Sequence, residues 1–165
     1  MKLKFLKSIA ILGFIFTIVS CSSNEADQPK VEQKLVVNYT YNSDEIELAK
    51  IINDYRVSIG LNKLNIINHV SFKSEEHDLY MIENNVVDHA YFQDRVDNIM
   101  SVLGATKVSE NVAYNFSTPQ SVLTAWLNSP EHKANIEGNF TDFGISVKVS
   151  ETTGKKYYTN IFIKK

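Results

Sequence analysis

The sequence predicts an α+β domain in which helices come first and strands close the chain. Apolar residues recur every three or four positions through much of residues 42–136, which is the spacing of helices buried on one face. Apolar and polar residues alternate on both sides of the turn-like segment Glu151–Gly154, as expected of a hairpin. Because the helices precede the hairpin and do not alternate with strands, a parallel βαβ fold is not expected.

The first helix is predicted over residues 43–59. Asn42 and Glu45 have the types and spacing of a capping box, in which each side chain accepts a hydrogen bond from the other residue's backbone. The buried face consists of apolar residues at helical spacing, namely Leu48, Ile52, Tyr55 and Ile59. Gly60 ends the helix. Ahead of it, residues 35–41 are β-prone and predict a short strand or an extended lead-in.

Two more helices are predicted before the first long strand. One runs from Asn68, a candidate cap, to about Asn84. The other runs from Phe92 to Leu103 and is stopped by Gly104. The loop between them, residues 86–91, carries His89.

The next part of the chain predicts an extended segment followed by two short helices. Residues 108–116 lack a helical period and are rich in β-branched and small residues, so they form either a strand or an extended buried segment. Thr118–Pro119 and Ser129–Pro130 both have the cap-plus-proline pattern that begins a helix. The second of these helices carries His132.

The N-terminus has the pattern of a lipoprotein signal peptide over residues 1–20. Three lysines precede an apolar run of about a dozen residues, which is too short to span a bilayer comfortably. Residues 18–21 resemble the bacterial lipobox, in which the cysteine becomes the diacylated first residue. The alternative is a cleaved signal with an incidental cysteine. We favour lipidation at Cys21, the only cysteine in the chain, and we expect residues 21–41 to form a tether and lead-in.

Residues 42–165 are predicted to form one domain on an acidic chain. Without the signal lysines, 14 of the 17 basic residues remain against 19 acidic ones, a net charge of −5. No basic patch is visible, so nucleic acid is not an expected partner. With its single cysteine at the anchor, the domain has no internal disulfide and must be stabilised by its core.

His89, Glu110 and His132 are the candidate site residues. Two imidazoles and a carboxylate suit a divalent metal ion such as zinc, with open positions for water. The same three groups suit general acid–base chemistry, in which Glu110 tunes a histidine. A structural role for Glu110, accepting backbone N–H groups, is the third interpretation. Since the three residues lie on three separate elements, their spacing does not decide between these interpretations.

Other chemistries have less support. The chain has no Gly-x-Ser-x-Gly elbow and no glycine-rich phosphate loop, so serine-nucleophile, phosphoryl-transfer and dinucleotide chemistry are not expected. We interpret His69 and His77 as core or helix-surface residues. Trp126, Tyr157 and Tyr158 either line a groove for a small apolar ligand or belong to the core, and the core is the commoner place for such residues.

Taken together, these segments resemble the CAP superfamily, which comprises cysteine-rich secretory proteins, antigen 5 and pathogenesis-related proteins and is also called the SCP domain. The resemblance covers about residues 47–162 and is closest to the compact bacterial type. The matching pieces occur in the family's order and are Leu48–Arg56, Gly60–Leu64, His77–Met81, His89, Arg95, Gly104, Glu110–Ala113, Trp126–Ile136, Phe143–Val147 and Tyr157–Phe162.

The resemblance implies a three-layer α-β-α sandwich with a small antiparallel sheet and a central cleft. His89 and His132 match the family's two cleft histidines, and Glu110 matches its first glutamate. The cleft binds a divalent metal in some members. The second family glutamate falls at Ser129 here, so the implied site has three members instead of four.

The function expected from the sequence is that of a lipid-anchored binding module of the cell envelope. It would be exported, held at the outer membrane or cell surface through Cys21, and would bind a small apolar ligand, an envelope protein or a divalent metal ion in its cleft. We favour binding over catalysis. The alternative is a metal-dependent hydrolase of envelope peptides, in which His89 and His132 hold the metal and Glu110 activates a water.

Overall fold

The computed structural model describes residues 34–165. The predicted signal peptide, Cys21 and the first part of the predicted tether lie outside this range. Residues 34–165 form five helices: α1 (Ser43–Ser58), α2 (Asn68–Asn84), α3 (Phe92–Leu103), α4 (Pro119–Asn128) and α5 (Pro130–Ile136). They also form four strands: β1 (Asn65–Ile66), β2 (Lys107–Tyr114), β3 (Asp142–Val149) and β4 (Lys156–Lys164). The α+β prediction is confirmed.

The helix ends follow local chemistry that the sequence displays. The Asn42 side chain accepts a hydrogen bond from the Glu45 N–H at 3.0 Å, and the Glu45 carboxylate accepts one from the Asn42 N–H at 2.9 Å. Gly104 ends α3 in the left-handed conformation, with φ of 69°. At α2 the prediction needs a correction, because the N-cap is Ile67 and its side chain makes no capping hydrogen bond.

The sheet has the strand order β1-β3-β4-β2. The pairs β3–β4 and β4–β2 are antiparallel, which confirms the C-terminal hairpin. The two-residue strand β1 pairs in parallel with β3 and was not foreseen. Residues 34–42 form neither a helix nor a strand, so the short strand predicted for residues 35–41 is absent.

Helices cover both faces of the sheet, which gives three layers. On one face α2 crosses β3 and β4 so closely that a Cβ at Gly144 would lie 2.2 Å from the Ser71 nitrogen. A smaller apolar cluster, which includes Val70 and Ile99, fills this side. On the other face α1, α4 and α5 enclose the larger core, which includes Trp126.

Strand β2 lies at an edge of the sheet and has its outward carbonyls covered. The Trp126 indole N–H donates to the Val112 carbonyl at 3.0 Å, and the Asn135 amide donates to the Glu110 carbonyl at 3.3 Å. Successive side chains of a strand point to opposite faces. Glu110 therefore faces the layer of α2 and α3, whereas Asn111 faces α5.

Candidate functional site

The carboxylate of Glu110 is the centre of a buried polar cluster. The Arg95 guanidinium donates two hydrogen bonds to it, from Nε to Oε2 and from Nη2 to Oε1, each of 2.8 Å. Nδ1 of His89 contacts the same Oε1 at 2.8 Å. The Glu110 side chain is 1% exposed and that of Arg95 is 8% exposed, so the ion pair is shielded from water. Such a forked arginine–carboxylate contact fixes the orientation of both groups.

The loop that carries His89 is held by the same cluster. Nε2 of His77 donates to the Asp88 carbonyl at 2.8 Å, and Nη1 of Arg95 donates to the Ala90 carbonyl at 2.7 Å. The loop ends at Tyr91, which caps α3 in the left-handed region with φ of 56°. This conformation is uncommon for a residue with a large side chain. The surrounding contacts therefore hold the loop in one shape.

Hydrogen bonding and burial set the protonation states of Glu110 and His89. Burial alone would raise the pKa of Glu110, but the hydrogen bonds from His89 and Arg95 outweigh it and lower that pKa below its usual value. The pKa of His89 is raised, chiefly by its hydrogen bond to Glu110 and against the effect of burial. Because an ionised carboxylate only accepts hydrogen bonds, His89 carries its proton on Nδ1 in this contact.

His77 supports the cluster as a neutral imidazole. Its Nε2 lies 3.8 Å from Oε1 of Glu110, and its side chain is fully buried. Burial lowers the pKa of His77, and the nearby Glu110 only partly opposes this effect. The N–H at Nε2 donates its hydrogen bond to the Asp88 carbonyl. His77 thus acts on the site through the shape of the loop.

His132 belongs to α5, which lies in the opposite layer and packs against the edge strand β2. The Asn111 amide donates to the His132 carbonyl at 3.0 Å, and the Asn135 amide donates to the Asn111 side chain at 2.8 Å. These contacts tie the start of α5 to the strand that carries Glu110. Burial lowers the pKa of His132, and the charge of nearby His89 lowers it further. The fold thus joins His89 to Glu110 directly and ties the backbone of His132 to the same strand at Asn111.

Glu110 fits poorly as a ligand for a metal ion. Both of its oxygens are held by Arg95. At about 4 Å and an effective dielectric constant of about 20, a divalent ion gains about 8 kcal/mol from a carboxylate and loses about as much to a guanidinium. The pair therefore offers such an ion almost no net attraction. Within residues 34–165, no group of three His, Cys, Asp or Glu side chains is arranged to hold a metal. The metal site stays a prediction, and Glu110 is its weakest member.

The other residues singled out in the sequence have structural roles. Nδ1 of His69 accepts from the Val36 N–H at 3.2 Å, and its Nε2 lies 2.8 Å from the Asn98 side chain. The aromatic residues considered for a groove, Trp126, Tyr157 and Tyr158, are at most 2% exposed and belong to the interior.

Sequence reasoning missed Arg95 and His77 as members of the cluster. A signal for Arg95 existed, because Phe92, Arg95, Val96 and Ile99 share the spacing of one buried helix face. A charged residue on such a face requires a partner, and a carboxylate in an apolar strand is the natural one. His77 is placed in the same way, between Val70 and Met81 on the buried face of α2.

Comparison with known proteins identifies the family. The model of the CAP family, described as the cysteine-rich secretory protein family, matches residues 49–162. The chain belongs to the CAP family. The match includes all three site residues predicted from the sequence, and it confirms the family resemblance.

Bacterial proteins share this CAP fold. An outer surface protein from Borrelia burgdorferi superposes with a TM-score of 0.68 at 20% identity, over 79% of this chain and 99% of that one. An extracellular protein containing an SCP domain from Bacillus anthracis superposes with a TM-score of 0.63 at 27% identity, over 74% of this chain and 40% of that one. At 20% identity, the likeness to the Borrelia burgdorferi protein concerns the fold alone.

A curated relative is similar over most of this CAP chain. It is the uncharacterized membrane protein YlbC of Bacillus subtilis, which is 30% identical over an alignment of 129 residues. The match covers 74% of this chain and 35% of YlbC. The chain thus spans about a third of that relative's length. The similar proteins are named as extracellular, surface or membrane proteins. Across residues 34–165, no helix has the length and apolarity needed to cross a membrane.

Proposed function

We propose that this CAP domain is a lipid-anchored binding module of the cell envelope, with a cleft between His89 and His132 that holds a small ligand. The contact between His89 and Glu110 carries this proposal. It holds Nδ1 at 2.8 Å from a buried carboxylate and leaves the imidazole 48% exposed, so that Nε2 is available to a ligand.

The two imidazoles offer a ligand different hydrogen-bonding groups. His89 has a raised pKa, so it keeps its second proton to a higher pH than a free histidine does, and in that form Nε2 donates. His132 has a lowered pKa and favours the neutral form, which has one donor and one acceptor nitrogen. A small ligand with hydroxyl or carboxyl groups matches such a pair. Because Glu110 holds His89 in place, little side-chain freedom is lost on binding.

The geometry does not favour the alternative of a metal-dependent hydrolase. That mechanism requires Glu110 to accept a proton from an attacking water. Its two oxygens already accept hydrogen bonds from Arg95 and His89, and its pKa is lowered. A carboxylate stabilised in the ionised form is a weaker base than a free one.

Ligand binding can be tested on the purified lipoprotein in detergent micelles. Soluble peptidoglycan fragments and a small-molecule extract of bacterial envelopes serve as separate probes, and bound species are detected by mass spectrometry after gel filtration. We expect His89→Ala and His132→Ala each to reduce the bound amount at least tenfold. Lys133→Ala, a change at the exposed neighbour of His132, is the matched control and should bind like wild type. Wild-type binding that both histidine variants retain in full would refute the cleft.

The lipid anchor rests on the sequence around Cys21 and is supported by the surface and membrane names of the similar proteins. Wild-type protein should fractionate with membranes, and Cys21→Ser should appear in the soluble fraction. A single acyl chain binds membranes only marginally, so a diacylated cysteine is needed for stable attachment. Membrane association that survives in Cys21→Ser would contradict the anchor.

A further inference from the structure

We propose that the Arg95 guanidinium is the resident cation of the Glu110 site, so that the cleft of this CAP domain works without a divalent metal ion. The inference deepens the proposed function, because it fixes what kind of site the ligand meets. It stands on the geometry of one ion pair and on the way that pair is held in the fold.

The first observation is that Arg95 occupies the bidentate position of the carboxylate. Nε and Nη2 each lie 2.8 Å from a different oxygen of Glu110. A divalent ion that binds a carboxylate uses the same oxygens and likewise places positive charge against them. The third strong contact, from Nδ1 of His89, also falls on one of these oxygens. A metal ion would thus have to displace a charged group that is already buried there.

The second observation is that Arg95 is not free to move aside. Its Nη1 donates to the Ala90 carbonyl at 2.7 Å, so all three nitrogens of the guanidinium are engaged. The guanidinium also lies 5.9 Å from the centre of the Phe92 ring. Only 7% of the residue, on the buried face of α3, is exposed to solvent. Arg95 is therefore a fixed part of the site.

His77 is fully buried and uses Nε2 for the Asp88 carbonyl. With Glu110 occupied, the metal-binding groups left to the cleft are therefore the imidazoles of His89 and His132. His89 uses Nδ1 for Glu110 and has only Nε2 to offer. His132 adds one further nitrogen. Zinc in proteins usually has at least three protein ligands, so this pair makes a weak site. A ligand in the cleft then contacts imidazole groups beside an ion pair whose two charges balance. Its binding should therefore persist in EDTA.

Removal of Arg95 should therefore create zinc affinity that the wild type lacks. Isothermal titration with zinc alone would be carried out on the purified lipoprotein in micelles, for wild type, Arg95→Ala and Arg95→Gln. We expect the wild type to bind zinc no tighter than about 100 µM, and both variants to bind at least a hundredfold more tightly. The gain should disappear in Arg95→Ala/Glu110→Gln. Arg56→Gln, at another buried arginine that contacts no carboxylate, is the matched control and should gain nothing.

Two results of the zinc titrations would overturn the inference. One is tight zinc binding by the wild type that Glu110→Gln abolishes, which stays decisive even if the Arg95 variants do not fold. The other is an Arg95 variant, folded by circular dichroism, whose zinc affinity equals that of the wild type. The proposed function is judged separately by ligand binding in EDTA. A ligand that binds only with zinc present contradicts the metal-free site and leaves the binding module intact.

Discussion

Replacement of Arg95 by methionine should strongly destabilise the domain, because it leaves Glu110 buried without its main partner. The change removes two charge-assisted hydrogen bonds of 2.8 Å from a carboxylate that is 1% exposed. Each such bond contributes about 1.5–3 kcal/mol, and breaking a buried ion pair costs about 3–5 kcal/mol. For a domain of about 130 residues this lowers the melting temperature by about 10–20 °C. Urea unfolding monitored by circular dichroism gives the free energy of unfolding directly.

A second substitution, Glu110→Met, tests whether the loss of stability in Arg95→Met comes from the broken ion pair. Alone, it leaves the Arg95 guanidinium buried and unpaired, so it should also cost about 3–5 kcal/mol. The double variant has no buried charge, and its loss should fall short of the sum of the single losses by at least about 2 kcal/mol. Arg56→Met is the control. It also removes a buried arginine, but its partners are carbonyl groups and the Asn62 side chain, so its cost should add to that of Glu110→Met.

The reasoning is refuted if the Arg95 and Glu110 losses add to within about 0.5 kcal/mol, which is the behaviour of independent sites. It is refuted equally if Arg95→Met costs less than about 1 kcal/mol, the usual limit for an exposed pair. Either result means that the ion pair is accessible to water. Glu110 would then be open to a metal ion.

Two further predictions concern pH and packing. The pKa of His89 is raised above its usual 6.5, so its contact with Glu110 contributes stability fully below pH 6.5 and loses it as the pH rises through the folded-state pKa. The advantage of wild type over His89→Asn in urea should therefore shrink as the pH rises above 6.5, and a constant advantage would contradict the contact. Gly144→Ala should cost about 3 kcal/mol, because the new Cβ would lie 2.2 Å from the Ser71 nitrogen and α2 would have to shift. Gly154→Ala meets nothing within 4 Å and should cost only the strain of its φ of 68°, about 1 kcal/mol, so equal urea midpoints would show that α2 yields easily.

Local signals in the sequence predict the helices well, because their causes lie within a few residues. The capping box at Asn42 and the glycine stop at Gly104 both occur in the structure. Strand β1 left no such signal. It consists of Asn65 and Ile66 and is defined only by its partner β3, more than seventy positions away, so no periodicity within it exists to be read.

The sequence predicts which residue types form the candidate site better than it predicts how those residues interact. His89 and Glu110 are in contact although 21 positions separate them. What the types did not reveal is the partner of Glu110. The identity of a buried ion pair depends on which helix packs over which strand, and the packing of α3 beside β2 is a tertiary result. The place of Arg95 on a buried helix face predicts that it needs a partner, but it does not predict that this partner is Glu110.

The position of Glu110 and Asn111 on an edge strand explains how one short segment organises two helical layers. Glu110 points to Arg95 and holds the loop of His89, whereas Asn111 points to α5 and holds His132. A change at Glu110 therefore alters both the packing of α3 and the orientation of an imidazole, so lost binding in such a variant has two causes. His89 lies on the exposed side of the same contact, with 48% of its side chain in solvent. Its replacement by alanine leaves the Arg95–Glu110 pair intact. Binding that is lost in His89→Ala at near wild-type stability therefore assigns the role to the cleft itself.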